Sequence, residues 1–265
     1  PDHRGLILTT GSLFVMYANA FVQGPVEFLP SPRYQERRTA QERAKKLYLR
    51  GVEILRDGLE RKYPGITGTS AEGGTLAPYL AKMKKDDVPL LYWIAGGTLS
   101  AFSLDPFDYA LNLQVPDCMA YADRAYELDP DFNSGALDDF YIQAYASLPV
   151  AMGGAPERAA LHFERSLEKS GGTLAGPYVS YAQAVAIPAQ DYETFRSCLQ
   201  KALDIDEDAD RQNRLVNIIS RQKARTLLEK AGDYFFLNED GELDTEAYET
   251  VEYDETGYYG EYGDF

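Results

Sequence analysis

A recurring helix pattern constrains the fold of this chain more than any other feature of its sequence. Three segments carry apolar residues at helical spacing, and they cover residues 118–132, 157–172 and 192–209. Aligning them on Ala125, Ser166 and Ala202 gives spacings of 41 and 36 residues. Repeats that stack helix pairs have a period of about 34 residues before loop insertions. The chain is therefore predicted to be an all-α array of helix pairs.

The residues at the ends of these helices support the assignment. Pro116 and Pro156 suit a first helical turn, because the N–H that proline lacks would have no partner there. Asp191 is a suitable N-cap for the third helix, since its carboxylate can accept an exposed backbone N–H. Pro130 and the pair Gly171-Gly172 are expected to end the first two helices.

Each of these helices has a predicted partner just before it in the chain. The partners cover residues 88–104, 134–150 and 176–188, where small residues alternate with large aromatic ones. Three repeats result, at 88–130, 134–172 and 176–207. A long helix that extends to residue 237 is predicted to cap the last apolar face, because a stacked array would otherwise leave that face open to water.

The two ends of the chain differ from the repeats. Residues 1–64 are predicted to form a degenerate helix pair, made of an apolar segment and a charged amphipathic helix. Residues 65–87 are predicted to be a loop or linker. Residues 238–265 hold 11 acidic residues and no Lys or Arg, so we expect a flexible or weakly docked tail.

The apolar N-terminal segment has two possible interpretations. The chain begins with Pro1 and has no initiator Met, so a leader or tag is expected to have been removed. Residues 5–24 are uncharged and long enough to span a bilayer. Polar residues and a glycine dilute this stretch, namely Thr9, Thr10, Gly11, Ser12, Asn19 and Gln23. A buried first helix is therefore preferred, with a membrane segment as the alternative.

Charge and cysteine content exclude several classes of partner and site. The net charge of −16 lies mostly in the acidic tail, and the rest of the chain is nearly balanced. Nucleic acid is not an expected partner, because its phosphates need a clustered positive surface. Cys118 and Cys198 stand apart from any CxxC or Cys/His cluster and are predicted to be buried free thiols.

A set of ordered segments resembles one known family. The segments are 86–97 (DDVPLLYWIAGG), 126–149, 153–172, 177–206 (beginning PYVSYA) and 213–228. Together they resemble the T component associated with tripartite ATP-independent periplasmic (TRAP) transporters, over roughly residues 35–237. The resemblance implies a right-handed superhelix of tetratricopeptide-like (TPR-like) hairpins that assembles as a homotrimer with a central pore.

The resemblance also implies a location and a task. A member of this family would be a periplasmic lipoprotein, anchored through an acylated N-terminal Cys in a removed segment. It would associate with the solute-binding P component and hold or relay a small, amphipathic or organic-acid ligand. The alternative is a generic TPR scaffold that grips a peptide or an envelope-assembly partner.

Aromatic side chains on the predicted first helices are the candidate ligand-binding residues. Tyr and Trp suit an amphipathic ligand, because each has an apolar ring and a polar group. The candidates are Tyr92, Trp93, Phe102, Tyr141, Tyr145, Tyr178 and Tyr181. Plain core packing is the alternative for each of them.

Polar candidates lie on the closing helix. Arg214, Arg221 and Arg225 recur on one face, with Asn217 between them. Asn217, Arg221 and Arg225 are predicted to contact a ligand carboxylate or the P component, because the arginine fork pairs with carboxylates. A solvated or acid-paired face is the alternative.

The sequence gives little support for an enzyme, a cofactor or a metal. His3 lies near the terminus, and His162 is predicted to be a solvated helix residue without a catalytic partner. No phosphate-binding glycine loop is present, and the acids of 204–210 lack the spacing of a calcium loop. The pairs Asp86-Asp87 and Asp138-Asp139 are read as charges that favour helix N-termini.

Overall fold

Helices make up the architecture of this protein in the computed structural model, which describes residues 3–70, 72–208 and 211–244. The long helices are α1 (Arg4–Tyr17), α2 (Tyr34–Lys62), α3 (Val88–Leu104), α4 (Val115–Leu128), α5 (Ala136–Ser147), α6 (Pro156–Ser170), α7 (Gly176–Tyr181), α8 (Tyr192–Asp204) and α9 (Arg214–Glu229). These residues contain no strand, although an isolated antiparallel bridge pairs Leu237 with Leu243. The all-α prediction is confirmed.

Consecutive helices pack against each other along the chain. α1 packs on α2, α3 on α4, α5 on α6 and α7 on α8, while α2 also packs on α3 and α9 on α8. The pairing follows from the sequence pattern, in which each long helix has an apolar face that it must bury. The predicted tail extends from 238 to 265, and its residues 245–265 lie outside the described residues.

Glycines let the first three long helices approach closely. A Cβ added at Gly51 would stand 2.7 Å from the carbonyl oxygen of Gly11, so α1 and α2 cross almost backbone to backbone. A Cβ at Gly97 of α3 would stand 2.7 Å from Val52 Cγ2. Gly96, by contrast, has no atom within 4 Å of such a Cβ and faces open space. Of these two adjacent glycines, only Gly97 lies in a close helix contact.

The N-terminal helix is buried along one face rather than all around. Gly11, Ser12 and Val15 are buried, whereas Leu6 is 64% exposed and Leu13 is 53% exposed. The continuous helical stretch Arg4–Glu27 is long and apolar enough to cross a membrane, a property that core helices and signal sequences share. The prediction of a buried first helix is thus correct only for the side that packs on α2.

The predicted helix boundaries hold where a local signal sets them. Asp191 accepts a hydrogen bond from the backbone N–H of Thr194 at 2.9 Å, as expected of an N-cap. Pro156 is the first residue of α6, and Gly171 ends that helix with φ of +59°. The closing helix is shorter than predicted: it ends at Glu229, and a separate 3₁₀ turn follows at Ala231–Asp233.

Both cysteines are free and buried, as predicted. Burial raises the pKa of Cys118 to about 12 and that of Cys198 to about 11. Because only the thiolate is a good nucleophile, both thiols are unreactive at neutral pH.

Several charged residues that the sequence placed in solvent are buried and paired. His162 is 3% exposed, and its Nδ1 lies 2.7 Å from Oδ1 of Asp138. Asp138 is fully buried and also accepts from Lys169 Nζ at 2.7 Å and from Tyr126 OH at 3.0 Å. The predictions of a solvated His162 and of a simple helix-end charge at Asp138 were wrong. Helical periodicity identifies a face but not the partner that covers it.

Asp87 has a similar anchoring role at the other end of the array. It is fully buried and accepts from Arg4 of α1 at 2.7 Å and from Lys62 of α2 at 2.6 Å. Asp87 also accepts hydrogen bonds from the hydroxyl of Tyr63 at 2.8 Å and from the backbone N–H of Lys84 at 3.0 Å. Burial alone would raise the pKa of Asp87, but these hydrogen bonds hold it below its ordinary value. Asp87 therefore ties α1 and α2 to the start of α3.

Candidate functional site

Polar side chains from both ends of the chain meet at one place, which we call the polar junction (Glu27, Asp139, Ser180 and Lys223, with Gln143 and Gln183 beside them). Glu27, the last residue of the helical stretch that continues α1, pairs with Lys223 of α9 at 3.1 Å. It also accepts a hydrogen bond from Gln183 Nε2 at 3.2 Å, across 156 positions of sequence. Gln143 of α5 donates to the hydroxyl of Ser180 at 3.3 Å. Helices α1, α5, α7 and α9 thus converge here.

Asp139 is the chemically unusual member of this junction. Its Oδ1 is buried and has no hydrogen-bond partner among the described residues. Burial raises the pKa of Asp139 to about 6, although a hydrogen bond with Ser180 and the charge of Lys223 act in the opposite direction. A Cβ added at Gly176 of α7 would stand 3.9 Å from its Oδ2. Asp139 was read from the sequence as a helix-end charge, and the structure corrects that interpretation.

Tyr92 and Trp93 are neighbours on α3. Their rings meet edge to face at 5.1 Å, and Tyr92 also contacts Phe132 at 5.3 Å. The negative charge of Asp139 adds to burial in raising the pKa of the Tyr92 hydroxyl. Both rings are half-buried, and the neighbouring Gly96 faces open space. Both side chains are thus partly open to solvent, and Tyr92 is within range of the charge of Asp139.

The other predicted aromatic residues fall into separate groups. Phe102 of α3 is 5% exposed and packs in the hydrophobic core. Tyr141 and Tyr145 stack at 5.1 Å, and the ring of His162 lies 4.8 Å from that of Tyr141. Tyr141 donates its hydroxyl hydrogen to Asp123 at 2.6 Å. These three predicted side chains are buried, which places them inside the packing between helices.

Tyr178 and Tyr181 form the last group. They lie on α7 and flank Phe163 of α6, with ring distances of 5.6 Å and 4.3 Å. Both are half-buried. The seven candidates thus lie on three helices. Among the described residues, their ring contacts are made within each of these groups and do not link the groups to one another.

The polar candidates on α9 divide into one structural residue and one surface pair. Asn217 is fully buried: its amide accepts from the backbone N–H of Ala175 and donates to the carbonyl of Thr173, both at 3.0 Å. Asn217 therefore fixes the loop before α7. Arg221 and Arg225 line a surface hollow of about 350 Å³, where Arg221 pairs with Glu207.

Sequence reasoning missed the polar junction because no local signal marks it. Glu27 follows an apolar segment, and Lys223 is one of several cationic residues on an amphipathic helix. Neither residue stands in a motif, and the buried Ala224 next to Lys223 marks only the apolar face of α9. The acidic pair at 138–139 was the one visible signal, but a pair of acids in a first helical turn has an adequate explanation in the helix dipole.

These features define an all-helical protein of packed helix pairs, with half-buried aromatic residues and a polar junction that contains the buried Oδ1 of Asp139. Residues 1–235 match the family described as TAtT, TRAP transporter T-component, and the chain belongs to this family. A protein of Treponema pallidum (strain Nichols), described as an uncharacterized protein, is 36% identical over 237 residues, or 89% of this chain and 73% of that protein. The resemblance inferred from the sequence is confirmed, and the family is one of transporter accessory components rather than of enzymes.

Proposed function

We propose that this protein is a periplasmic accessory subunit of a TRAP transporter that holds a small amphipathic organic ligand and docks on the solute-binding P component. Membership of the T-component family supports the transport role. The observation that carries the ligand-binding part is the half-buried ring pair of Tyr92 and Trp93, with Asp139 near enough for its charge to act on the Tyr92 hydroxyl. Such a pair offers ring surface for an apolar body and a polar group for its head.

The proposal includes a TPR-like superhelix with α9 as its cap. Successive packed pairs support a stacked array, in which each pair contacts its neighbours. On α9, Ala224 and Leu227 are fully buried against the preceding pair, while Leu215 and Val216 are 59% and 51% exposed. A helix with one buried face at the end of an array is what a cap requires.

The proposal also includes a homotrimer that is lipid-anchored through an N-terminal Cys segment. The exposed side of α1 supports a contact between subunits or with lipid, because Leu6, Leu13 and Phe21 leave apolar surface open to water. Exposed apolar patches on soluble proteins mark interaction sites. On α9, the arginines of the surface hollow are the proposed P-component contact, because buried Nε of Arg221 has no partner among the described residues.

The docking proposal is tested by co-purification with a TRAP solute-binding P component. The Arg221→Ala/Arg225→Ala double variant is expected to lose the complex, whereas Arg43→Ala, an exposed arginine on α2, should retain it. Retention by the double variant would reject this face. If the wild-type chain captures only extended peptides and no P component, the alternative of a peptide-binding scaffold is correct instead.

Ligand holding is tested separately by thermal shift with a panel of small organic acids and lipids. A ligand that raises the melting temperature of the wild-type protein should lose this effect with Trp93→Ala. Tyr109→Ala is the matched control, because Tyr109 is an aromatic residue that is 77% exposed elsewhere. If no compound shifts the wild-type protein, the role reduces to protein–protein assembly.

A further inference from the structure

The loop between α3 and α4 exposes several apolar side chains, and we call it the apolar loop (residues 105–114). Phe107 is 94% exposed, more than any other large hydrophobic residue in the part of the chain that the structure describes. Tyr109 and Leu113 follow at 77% and 61%, and Pro106 is exposed as well. An apolar surface left in water in this way is a candidate interaction site.

Hydrogen bonds hold the apolar loop in one shape. Oδ1 of Asp108 accepts from the backbone N–H of Leu111 at 3.1 Å. The side-chain amide of Asn112 donates to the carbonyl oxygens of Pro106 and Asp108, at 2.9 and 2.8 Å. Leu111 is 1% exposed and packs in the hydrophobic core. The exposure of Phe107 is therefore a property of a folded turn that is tied to the core.

The charged side chains of the loop are turned toward α2. Lys45 Nζ donates to Oδ2 of Asp105 at 2.7 Å and to Oδ2 of Asp108 at 2.6 Å. Lys46, the next residue of α2, is exposed, so two lysines balance the two acids at the base of the loop. This balance stands out in a chain whose net charge is −16. An anionic lipid surface would repel the chain as a whole, whereas an uncharged surface would not.

The outward surface of the loop offers few hydrogen bonds to a protein partner. Its carboxylates and the Asn112 amide are bonded within the molecule, which leaves the hydroxyl of Tyr109. Protein interfaces make about one hydrogen bond per 100–200 Å². Phe107, Tyr109 and Leu113 together expose roughly 400 Å², about half of the ~800 Å² that each partner of a stable complex buries. A lipid layer fits this surface better, because it needs no directional bonds.

We propose that the apolar loop inserts into the surface of a zwitterionic lipid layer, with the ring of Phe107 among the acyl chains and Tyr109 and Leu113 at the level of the headgroups. Tyrosine suits that level, because its ring is apolar and its hydroxyl bonds to polar groups. A contact of this size is reversible, as a single short acyl chain is, so it orients the protein on a membrane without fixing it there. The contact uses none of the residues of the ligand, docking and anchoring proposals above and does not depend on them.

Flotation of the full, non-acylated chain with phosphatidylcholine vesicles tests the proposal. Part of the protein should float with the vesicles at millimolar lipid, and an equal share of phosphatidylglycerol should not increase that part. Phe107→Ser/Leu113→Ser should lower the bound fraction about tenfold or more, because two apolar side chains are lost from the lipid layer. Val150→Ser/Leu215→Ser is the matched control and should bind like the wild type, since these side chains are 80% and 59% exposed elsewhere. Binding that requires phosphatidylglycerol would contradict the proposal.

A fluorescent reporter locates the contact. The chain has one tryptophan, so Trp93→Phe/Phe107→Trp places the single indole in the apolar loop. Its emission should shift to the blue with vesicles and be quenched by lipids that are brominated in the acyl chains. Trp93→Phe/Val150→Trp is the control and should show neither effect.

Two outcomes would overturn the lipid contact. The first is an unchanged emission of the loop reporter, or equal flotation of the wild type and Phe107→Ser/Leu113→Ser. The second is a serine variant whose molar mass in sedimentation equilibrium is lower than that of the wild type, while vesicles bind neither protein. In that case the loop joins two copies of this chain and does not enter lipid.

Discussion

Replacing Asp139 with Asn should stabilise this protein at neutral pH. The buried carboxyl group has a pKa of about 6 in the folded protein, against an ordinary value of 3.8. A carboxyl group with a raised folded pKa binds its proton more tightly in the folded state than in the unfolded state. The free energy of unfolding therefore falls as the pH rises from about 4 to about 6, and it stays low above that range. Asn cannot ionise, so it escapes this loss.

The size of the effect follows from the difference between the two pKa values. Each pKa unit corresponds to about 1.4 kcal/mol, so ionised Asp139 costs the folded state about 3 kcal/mol. The amide of Asn would leave one buried polar atom without a partner, which costs about 1 kcal/mol. The net gain at pH 8 is therefore about 2 kcal/mol, or about 4 to 8 °C in melting temperature for a chain of this size. At pH 4 the variant should be no more stable than the wild type.

Urea denaturation of both proteins between pH 4 and pH 8, followed by circular dichroism, measures this difference. Asp138→Asn is the control at the adjacent position. Burial would raise the pKa of Asp138, but hydrogen bonds from His162 and Lys169 hold it below the ordinary value. That carboxylate stabilises the fold above its unfolded pKa and stops doing so as the pH falls, so Asp138→Asn should destabilise at neutral pH. A gain for Asp139→Asn of equal size at pH 4 and pH 8 would refute the reasoning.

Three further outcomes follow from the packing. Gly51→Val should lower the free energy of unfolding by about 1 to 3 kcal/mol in urea melts, because its Cβ would collide with the Gly11 carbonyl; an unchanged midpoint would contradict the close crossing. Gly96→Ala, whose Cβ meets open space, should instead be neutral or stabilising by up to about 1 kcal/mol in the same assay. A double-mutant cycle of Glu27→Gln and Lys223→Met should give a coupling free energy of about 1 kcal/mol. A coupling of zero would show that this ion pair does not stabilise the contact between the N-terminal helical stretch and α9.

The parts of the fold that were predictable from the sequence are those set by local physics. Pro156 and Asp191 mark helix starts because of the hydrogen bonds that a first turn lacks, and Gly171 marks an end because of its positive φ. Helical periodicity predicted α3 at the residues where it is observed. These signals act within one turn of helix, so they survive without knowledge of the tertiary structure.

The site was less predictable, because its chemistry depends on contacts between distant segments. His162 lies among charged residues in the sequence, yet Asp138 of a different helix turns it into a buried, paired side chain. Asn217 was expected at a ligand and instead holds a loop backbone. In both cases the residue type was noticed, but the partner that decides its role lies 24 or 42 positions away.

The contact between Glu27 and Lys223 changes what a helix array of this kind can do. In a linear stack each pair touches only its neighbours, so a disturbance at one end stays there. Here Glu27, at the end of the first helical stretch, contacts Lys223 of α9 and Gln183, which follows α7, and Phe28 joins the core cluster of the last helices. The same Lys223 acts on the carboxyl group of Asp139. A change of charge at Asp139 therefore acts on the contact that joins the two ends, and the same charge acts on the hydroxyl of Tyr92 on α3. A bound ligand can shift a structure only by as much as its affinity differs between two states. A ligand that binds near Asp139 with different affinity for its two charge states would therefore act on the contact between the ends of the chain, where partners would dock.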